Sequence, residues 1–594
     1  MKSGPSSRFL RLVRTKASSG QPDLFLLQGD ASAGEVETIL IDPQTAYPPE
    51  NPRVRSSFQL DIYHFNDLHG HLVHYAPQGE VSVLSRFSET ISRARHRCRE
   101  DPSRAVLALS CGDDSGGSIF DDLVFSPEDV LSSHPCYRLF SEIGLDAACL
   151  GNHDLDHGLR HLVGAIQKTA RFPVLTANIR WRTDQSLGIF PGAVLIRNGL
   201  RVGLFGLVTQ AETRLDPQTG VITDPIPVAR NLISLLRPHC DLLIILSHLG
   251  YCLHSSIVPM AEAGDVQLAE ALPHGGVDLI IGGHTHTSLN RKDIEQKNII
   301  NGIPIVQAGQ QGRYLGKVEM VIREGSSAVK HARLIPVAEL PCNLSFHRTF
   351  VEPLLDWSAK IKSEILGELE QSLDLSSESV CEQFASGEVP LINYFCDLID
   401  QRLQQHGFHG DVVMLDASVL QCGLPEKQHL TYGDFFSAMP FPDTLFLYEL
   451  TGKQLLDLLL DNARRIRLPG DEAVDRGFLQ FSHQIRYQIQ LARTREKIQL
   501  RSATWRKIPL ENLQEKTFLA AASSFTRELA LNWEKRQPSA LFRLADLPFI
   551  DTGIVIRQEI TAYIKEQGGI SRDSGVRRDG RIAVIPESNG QKGG

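Results

Sequence analysis

Five short clusters of metal- or phosphate-capable side chains each follow or close an apolar run that reads as a strand. Gly151-Asn152-His153-Asp154-Leu155-Asp156 follows Asp146–Leu150. Asp67-Leu68-His69 follows LDIYHF, and Gly112-Asp113 follows AVLALSC. Ser247-His248 closes DLLIIL, and Gly282-Gly283-His284-Thr285-His286 closes VDLII. Taken singly, an Asn or a His at a strand end is turn chemistry more often than a site. Five such clusters together point to ligands gathered at the carboxyl ends of strands, where open α/β sheets bind them.

In that order and context the motifs, DLH, GD, GNHD, SH and GGHTH, resemble those of the calcineurin-like metallophosphatases. More narrowly they resemble the two-domain 5′-nucleotidase family, over roughly residues 59 to 320. The resemblance implies phosphoester hydrolysis by a hydroxide bridging two divalent cations about 3.5–4 Å apart. It implies that Asp67, His69, Asp113 and His286 hold one cation, and Asp113, Asn152, His248 and His284 the other. A shared carboxylate offsets the repulsion of two adjacent cations. Asp114 has the same chemistry as Asp113, but the position directly after Gly112 matches the motif. Imidazole and oxygen donors together suit Mn, Zn, Fe or Co better than Ca, without choosing among them. His153 is implied to face the substrate and donate to a phosphoryl or leaving oxygen. Asp156 is implied to orient that imidazole, and it also suits the N-cap of a helix starting near His157. His71, His74 and His157 lie outside the motifs and read as surface or supporting residues.

Short strands alternate with helical stretches from Leu60 onward, with strands expected at 59–65, 105–111, 146–150, 173–177, 193–197, 201–208, 241–247, 277–282, 304–308 and 315–322. Asn198-Gly199 reads as a hairpin turn. The expected fold is α/β: a layered, αββα-type metallophosphatase domain over 58–345, then a smaller α+β 5′-nucleotidase C-terminal domain over 376–565. Residues 1–57 form an extension that begins as an arm with no acid in its first twenty residues, expected to be disordered. Leu24–Gln28 and Thr38–Ile41 could then pair as a hairpin, and PPENP at 48–52 reads as a linker. Leu354, Trp357, Ile361, Ile365 and Leu369 recur at helical spacing, so one long linker helix is expected over 347–374, within a connecting segment 346–375. In the second domain Pro390–Gln405 reads as an amphipathic helix ended by Gly407. Residues 566–594 read as a flexible tail.

The resemblance places Asn152, Phe441 and Phe525 on the substrate, the two aromatics sandwiching a base. Here the family pattern is incomplete. Ala385 and Gln421 stand where arginines are expected, and Asp416 stands for an Asn. Losing two guanidinium donors and adding a carboxylate should weaken binding of an ordinary nucleotide monophosphate. Arg402, Arg464 and Arg465 are candidate replacements, each with a plainer reading as solvated helix-face charge.

At 594 residues the chain needs at least two cores. Hydrophobic residues make up 42% and charged residues 22%, with a net charge of −9, which implies no general face for a nucleic-acid polymer. No apolar run approaches a membrane span. The ten cysteines include no CxxC pair and several sit inside apolar runs, so buried thiols are expected. The N-terminus lacks the apolar centre of a secretory signal, so the expected location is cytoplasmic. The sequence thus reads as a dinuclear phosphohydrolase acting on a small, nucleotide-like phosphomonoester. The same centre would serve a phosphodiesterase or a nucleotide-sugar hydrolase. A catalytically weak metal-binding or interaction protein is the reading from another class, and the complete His153 and Asp156 argue against it. Nothing in the sequence sets the oligomeric state.

Overall fold

A computed structural model describes residues 9–15, 23–31, 38–41, 47, 57–76, 79–121, 135–182, 187–210, 215–216, 218–251, 263–323, 326–382, 386–441, 443–468, 478–526, 544, 547 and 549–586. The PPENP segment and Ala385 lie outside these residues. The chain divides into two compact units, Met1–Asp356 and Trp357–Gly594.

The first unit is built on two sheets. In the seven-stranded sheet, Phe58–Phe65, Arg104–Ser110, Ala147–Cys149 and Val174–Leu175 run parallel in that spatial order. In the nine-stranded sheet, Leu200–Val208, Leu242–His248, Leu279–Ile281 and Ile303–Val306 do the same. Parallel strands buried on both faces read as continuous apolar runs, which is why periodicity located them. Leu60, Ile62, Leu107 and Leu109 from the first sheet share one core with Val202, Leu204, Ile244 and Leu246 from the second. The other face of the nine-stranded sheet packs Phe205, Leu207, Leu243 and Ile245 with Leu232 and Leu236 of the helix Pro225–Leu236. On the outer side of the seven-stranded sheet, Phe65 meets Phe87 and Phe140 of the helices Val83–Cys98 and Cys136–Ile143. This is the expected αββα layering. Asn198 and Gly199, at φ of 49° and 82°, turn the hairpin that joins Gly192–Arg197 to Leu200–Val208.

Three expectations about connecting segments are corrected. The hairpin of Leu24–Gln28 with Thr38–Ile41 does not form. Phe9–Arg14, expected to be disordered, is a strand lying between the two, antiparallel to Asp23–Gln28 and parallel to Thr38–Ile41. Its alternation buries Leu10 and Leu12 completely, and that burial outweighs the charge of Arg11 between them. The extension thereby continues the nine-stranded sheet, because Asp23–Gln28 also pairs with Gly192–Arg197. Second, the long helix ends at Lys362, after a widened turn at His347–Val351, and Ile365–Leu369 is a strand. That strand pairs with His429–Thr431 and with Gly569–Ile570. A Cβ on Gly367 would lie 2.3 Å from the Gly568 carbonyl carbon, so the close crossing needs glycine.

Third, the expected flexible tail is folded over its described part, residues 566–586. The second unit is α+β, with a five-stranded sheet that includes Val412–Asp416, Thr444–Thr451 and Thr517–Ser523. The helices Pro390–Gln405, Gly452–Arg464 and Ile556–Gln567 belong to the same unit. Ile582–Ile585 pairs in parallel with Ile485–Gln490. Arg581, 2% exposed, donates to both carboxylate oxygens of Asp397, to Asp579 and to the Phe481 carbonyl. Glu388 accepts the backbone N–H groups of Asp579 and Gly580. The charge that marked this stretch as a frayed end is its docking chemistry. Replacing Arg581 with Ala removes the guanidinium that the half-buried Asp397 and Asp579 share and is expected to destabilise the second unit by roughly 2 kcal/mol. Thermal unfolding should show the loss in that unit's transition, and an unchanged melting profile would refute the docking role.

Among the described residues no helix is long and apolar enough to cross a membrane. Among the described residues eight cysteines are in no disulfide with one another, and six of them are buried.

Candidate metal centre

Each candidate ligand sits at the carboxyl end of a parallel strand or just beyond it. Asp67 and His69 follow Phe58–Phe65, Asp113 follows Arg104–Ser110, and Asn152 follows Ala147–Cys149. His248 is the last residue of Leu242–His248, and His284 and His286 follow Leu279–Ile281. Both sheets therefore deliver ligands to one place. Two groups of three form there: Asp67, His69 and His286, and Asp113, His248 and His284. Within each group the potential donor atoms lie within 4.8 Å of one another.

The distances are short. His69 Nε2 is 3.2 Å from His286 Nε2, and His286 Nε2 is 3.3 Å from Asp67 Oδ1. His248 Nε2 is 3.0 Å from Asp113 Oδ2, and His284 Nδ1 is 3.0 Å from Asn152 Oδ1. Asp67, Asp113, Asn152 and His248 are essentially buried. Asp113 is nevertheless held well below the usual carboxylate range: burial pushes it up, and His248, His153 and His69 outweigh that. Asp67 is likewise lowered, with His286 and His248 overcoming its burial. His248 is raised to about 10, because Asp113 and Asp67 outweigh burial, whereas burial lowers His69 to about 4.

Two features fit these residues to divalent cations. His69 Nδ1–H donates to the Gly116 carbonyl at 3.0 Å, and His248 Nδ1–H donates to the Cys111 carbonyl at 2.6 Å. Each bond sets the tautomer and leaves Nε2 as the donor aimed into the cluster, the outer-shell arrangement typical of histidine metal ligands. The backbone gives the second. Asp67, His69, Asp113, His284 and His286 all have φ between 48° and 73°. Left-handed backbone is uncommon for residues other than glycine, and such strain concentrates at functional sites.

Glycines in the motifs leave room for the ligands. A Cβ on Gly151 would lie 2.1 Å from Asp113 Oδ1, and one on Gly283 would lie 2.8 Å from both His248 Nδ1 and the Cys111 carbonyl oxygen. Gly283→Ala must therefore displace His248. Cation affinity of the Asp113–His248–His284 group is expected to fall about 10- to 100-fold. Titrating the apo-protein with Mn²⁺ measures it, and wild-type affinity would show that the backbone accommodates the methyl group.

Beside the clusters, His153 Nδ1 lies 2.7 Å from Asp156 Oδ2, and the Asp156 side chain is 2% exposed. The His153 N–H also donates to Asp113 Oδ1 at 2.8 Å, and its ring is 5.3 Å from that of His69. Asp156 ends the short turn His153–Leu155, while the helix that follows starts at Leu159 with Gly158 as its N-cap, so Asp156 does not cap it. Asp114, the chemical rival of Asp113, instead accepts from Ser110 Oγ, and burial and Asp154 push it well above the usual range.

Sequence reasoning assigned no role to Asp154. Its carboxylate accepts from Asp113 N, Gly151 N, Ser115 N and Ser115 Oγ at 2.8–3.1 Å. It therefore ties the loop carrying Asp113 to the loop carrying Asn152 and His153. Only its place in GNHD could have flagged it. Of the residues outside the motifs, His71 bonds the Leu68 and His69 carbonyls. The side chain of His74 lies outside the described residues.

In the second unit Phe441 precedes the strand Thr444–Thr451, and Phe525 follows Thr517–Ser523. These strands pair with Leu445 opposite Ser523, so both half-buried aromatics stand near one end of the pair. Buried Arg557 secures the approach to Phe441, donating to the Met439 and Pro440 carbonyls with its guanidinium 4.7 Å from the Phe436 ring centre. Asp416 is wholly buried and Gln421 is exposed. Arg402 is not a solvated replacement arginine: it is 7% exposed and paired with Glu559 and Glu566. Arg465 pairs with Asp461 one turn earlier in its helix.

Layered sheets with imidazole and carboxylate ligands at their carboxyl edges define the metallophosphatase class. The sequence profile of the calcineurin-like phosphoesterases matches residues 60–288, and that of the 5′-nucleotidase C-terminal domain matches 366–528. The chain belongs to the two-domain 5′-nucleotidase family of the calcineurin-like metallophosphatases. It is 29% identical to protein UshA of Escherichia coli K12 over 52% of this chain and 57% of UshA, so the match spans little more than half of that relative. It is 27% identical to the 5′-nucleotidase of Vibrio vulnificus over 69% of this chain and 77% of that protein. The crystal structure of a putative 5′-nucleotidase from Staphylococcus aureus shares the fold, with a TM-score of 0.68 at 18% identity, covering 89% of this chain and 100% of that one.

Proposed function

We propose that this chain is a metal-dependent phosphohydrolase acting on a phosphomonoester of nucleotide type. The observation that carries the reading is the pair of three-residue clusters with the His153–Asp156 pair beside them. Asp67, His69, Asp113 and His286 would hold one divalent cation and Asp113, Asn152, His248 and His284 the other, with Mn, Zn, Fe and Co all suited to these donors. Bound there, two such cations would supply the lowered pKa of a water and the positive charge that offsets the phosphoryl oxygens.

The chain's own residues do the rest. Asp113 would serve both cations; one of its oxygens faces His248 and the other accepts the backbone N–H of His153. Asp156 accepts from His153 Nδ1–H and so favours the imidazolium. That leaves Nε2–H as the donor to a phosphoryl or leaving oxygen as charge builds on it. Asn152 borders the same space. Phe441 and Phe525 are suited to stack on a base, the role their family positions carry. The names borne by the relatives support a nucleotide as the phosphate carrier. Cysteine side chains buried inside apolar strands and helices are in keeping with a cytoplasmic location, the location proposed here.

The test is hydrolysis by the Mn-loaded protein of nucleoside monophosphates, cyclic nucleotides, nucleotide sugars and p-nitrophenyl phosphate. Preference for nucleoside monophosphates is expected. Preference for cyclic nucleotides or nucleotide sugars would transfer the reading to a phosphodiesterase or nucleotide-sugar hydrolase on the same centre. Metal binding with no hydrolysis at all would leave a binding protein.

A further inference from the structure

Asp121 lies outside every motif, yet it is completely buried close to the centre. Its Oδ2 accepts the backbone N–H groups of Gly117 at 2.8 Å and Ser118 at 3.0 Å. Its own N–H donates to the Ser118 carbonyl at 3.1 Å. These bonds close a tight loop directly after Gly116, whose carbonyl accepts from His69 Nδ1–H. Gly116 also lies against His153, so that a Cβ on it would be 2.9 Å from the His153 Cβ. The other oxygen of Asp121 is 3.5 Å from His157 Nε2, and His157 directly follows Asp156.

One carboxylate thus meets both halves of the machinery. We propose that Asp121 is a positioning residue: through Gly116 it sets the His69 imidazole, and through His157 it holds the turn carrying His153 and Asp156. The physical basis is that a carboxylate offers two acceptor oxygens. Oδ2 pins two adjacent backbone N–H groups while Oδ1 faces an imidazole, and only a carboxylate accepts, with charge, at both ends. Outer-shell partners of this kind typically govern metal affinity by 10- to 100-fold.

The inference rests on the dinuclear reading above. The test titrates apo-protein with Mn²⁺ by calorimetry and follows p-nitrophenyl phosphate hydrolysis at saturating Mn²⁺, for wild type, Asp121→Ala, Asp121→Asn and His157→Ala. In Asp121→Ala one of two Mn²⁺ sites is expected to weaken about 10- to 100-fold, with the other changed less than about twofold. Its kcat should fall at least tenfold, with KM changed less than threefold. Asp121→Asn keeps a neutral acceptor, so the same site should weaken by a smaller factor of about 3- to 10-fold. That variant decides the matter if Asp121→Ala does not fold. His157→Ala should lower kcat while leaving both Mn²⁺ affinities within about twofold. Unchanged affinities in the Asp121 variants, or equal weakening of both sites with a lowered melting temperature, would overturn the positioning role and leave the function above intact. A wild type that binds fewer than two Mn²⁺ would remove the dinuclear reading and this inference with it.

Discussion

Asp113→Asn is expected to release both cations at micromolar metal and to lower phosphatase activity by on the order of 10³-fold or more. Asn is the informative substitution. Asp113 sits at φ 52°, and Asn tolerates left-handed backbone nearly as well as any residue with a side chain. The change therefore removes a negative charge with little change of shape. That charge sits in a buried site and faces His248 directly, with Asp67 and two further imidazoles close by. Without it two cations would be held close together with one fewer anion between them, and their repulsion would no longer be offset. Metal content after gel filtration and p-nitrophenyl phosphate turnover measure the outcome. A variant that keeps two ions and activity within tenfold of wild type would show that Asp113 is not the shared ligand.

The second large effect concerns His153. His153→Ala is expected to lower kcat by about 10²- to 10⁴-fold, the range for a positioned acid or charge-stabilising donor. Because His153 donates no side-chain atom to either cluster, metal content should stay at the wild-type level. Asp156→Asn keeps the contact to Nδ1 but removes the charge that favours the imidazolium, so a loss of about tenfold is expected. The double variant His153→Ala, Asp156→Asn should be no slower than His153→Ala, since Asp156 acts only through the imidazole. A double variant markedly slower than the single would assign Asp156 an independent role. A His153→Ala protein within threefold of wild-type kcat would remove His153 from the chemistry.

The centre was legible in the sequence because its ligands come in pairs or runs at strand ends. A parallel strand buried on both faces must be an apolar run, so its end is visible. The residues beyond it carry the chemistry in short, ordered motifs. Asp121 and Arg557 were not legible, since the groups each one serves lie far along the chain: His69 and His157 for Asp121, Pro440 for Arg557. A hydrogen bond from the Gly117 N–H to Asp121, or from Arg557 to the Pro440 carbonyl, leaves no periodic trace.

The same distinction explains the corrected segments. Phe9–Arg14 was read by its charge, but its fate was decided by the open edge of a strand that it could pair with. The tail after Gln567 was read as frayed, but Arg581 finds two carboxylates and a carbonyl in the second unit. Local sequence determined which strands exist, where they end and which side chains could bind metal, because those features follow from apolar runs and motif order. Tertiary structure alone decided which edges are covered and which buried charges are paired. Pairing and burial depend on groups brought together from far along the chain, and their energies exist only once those groups meet.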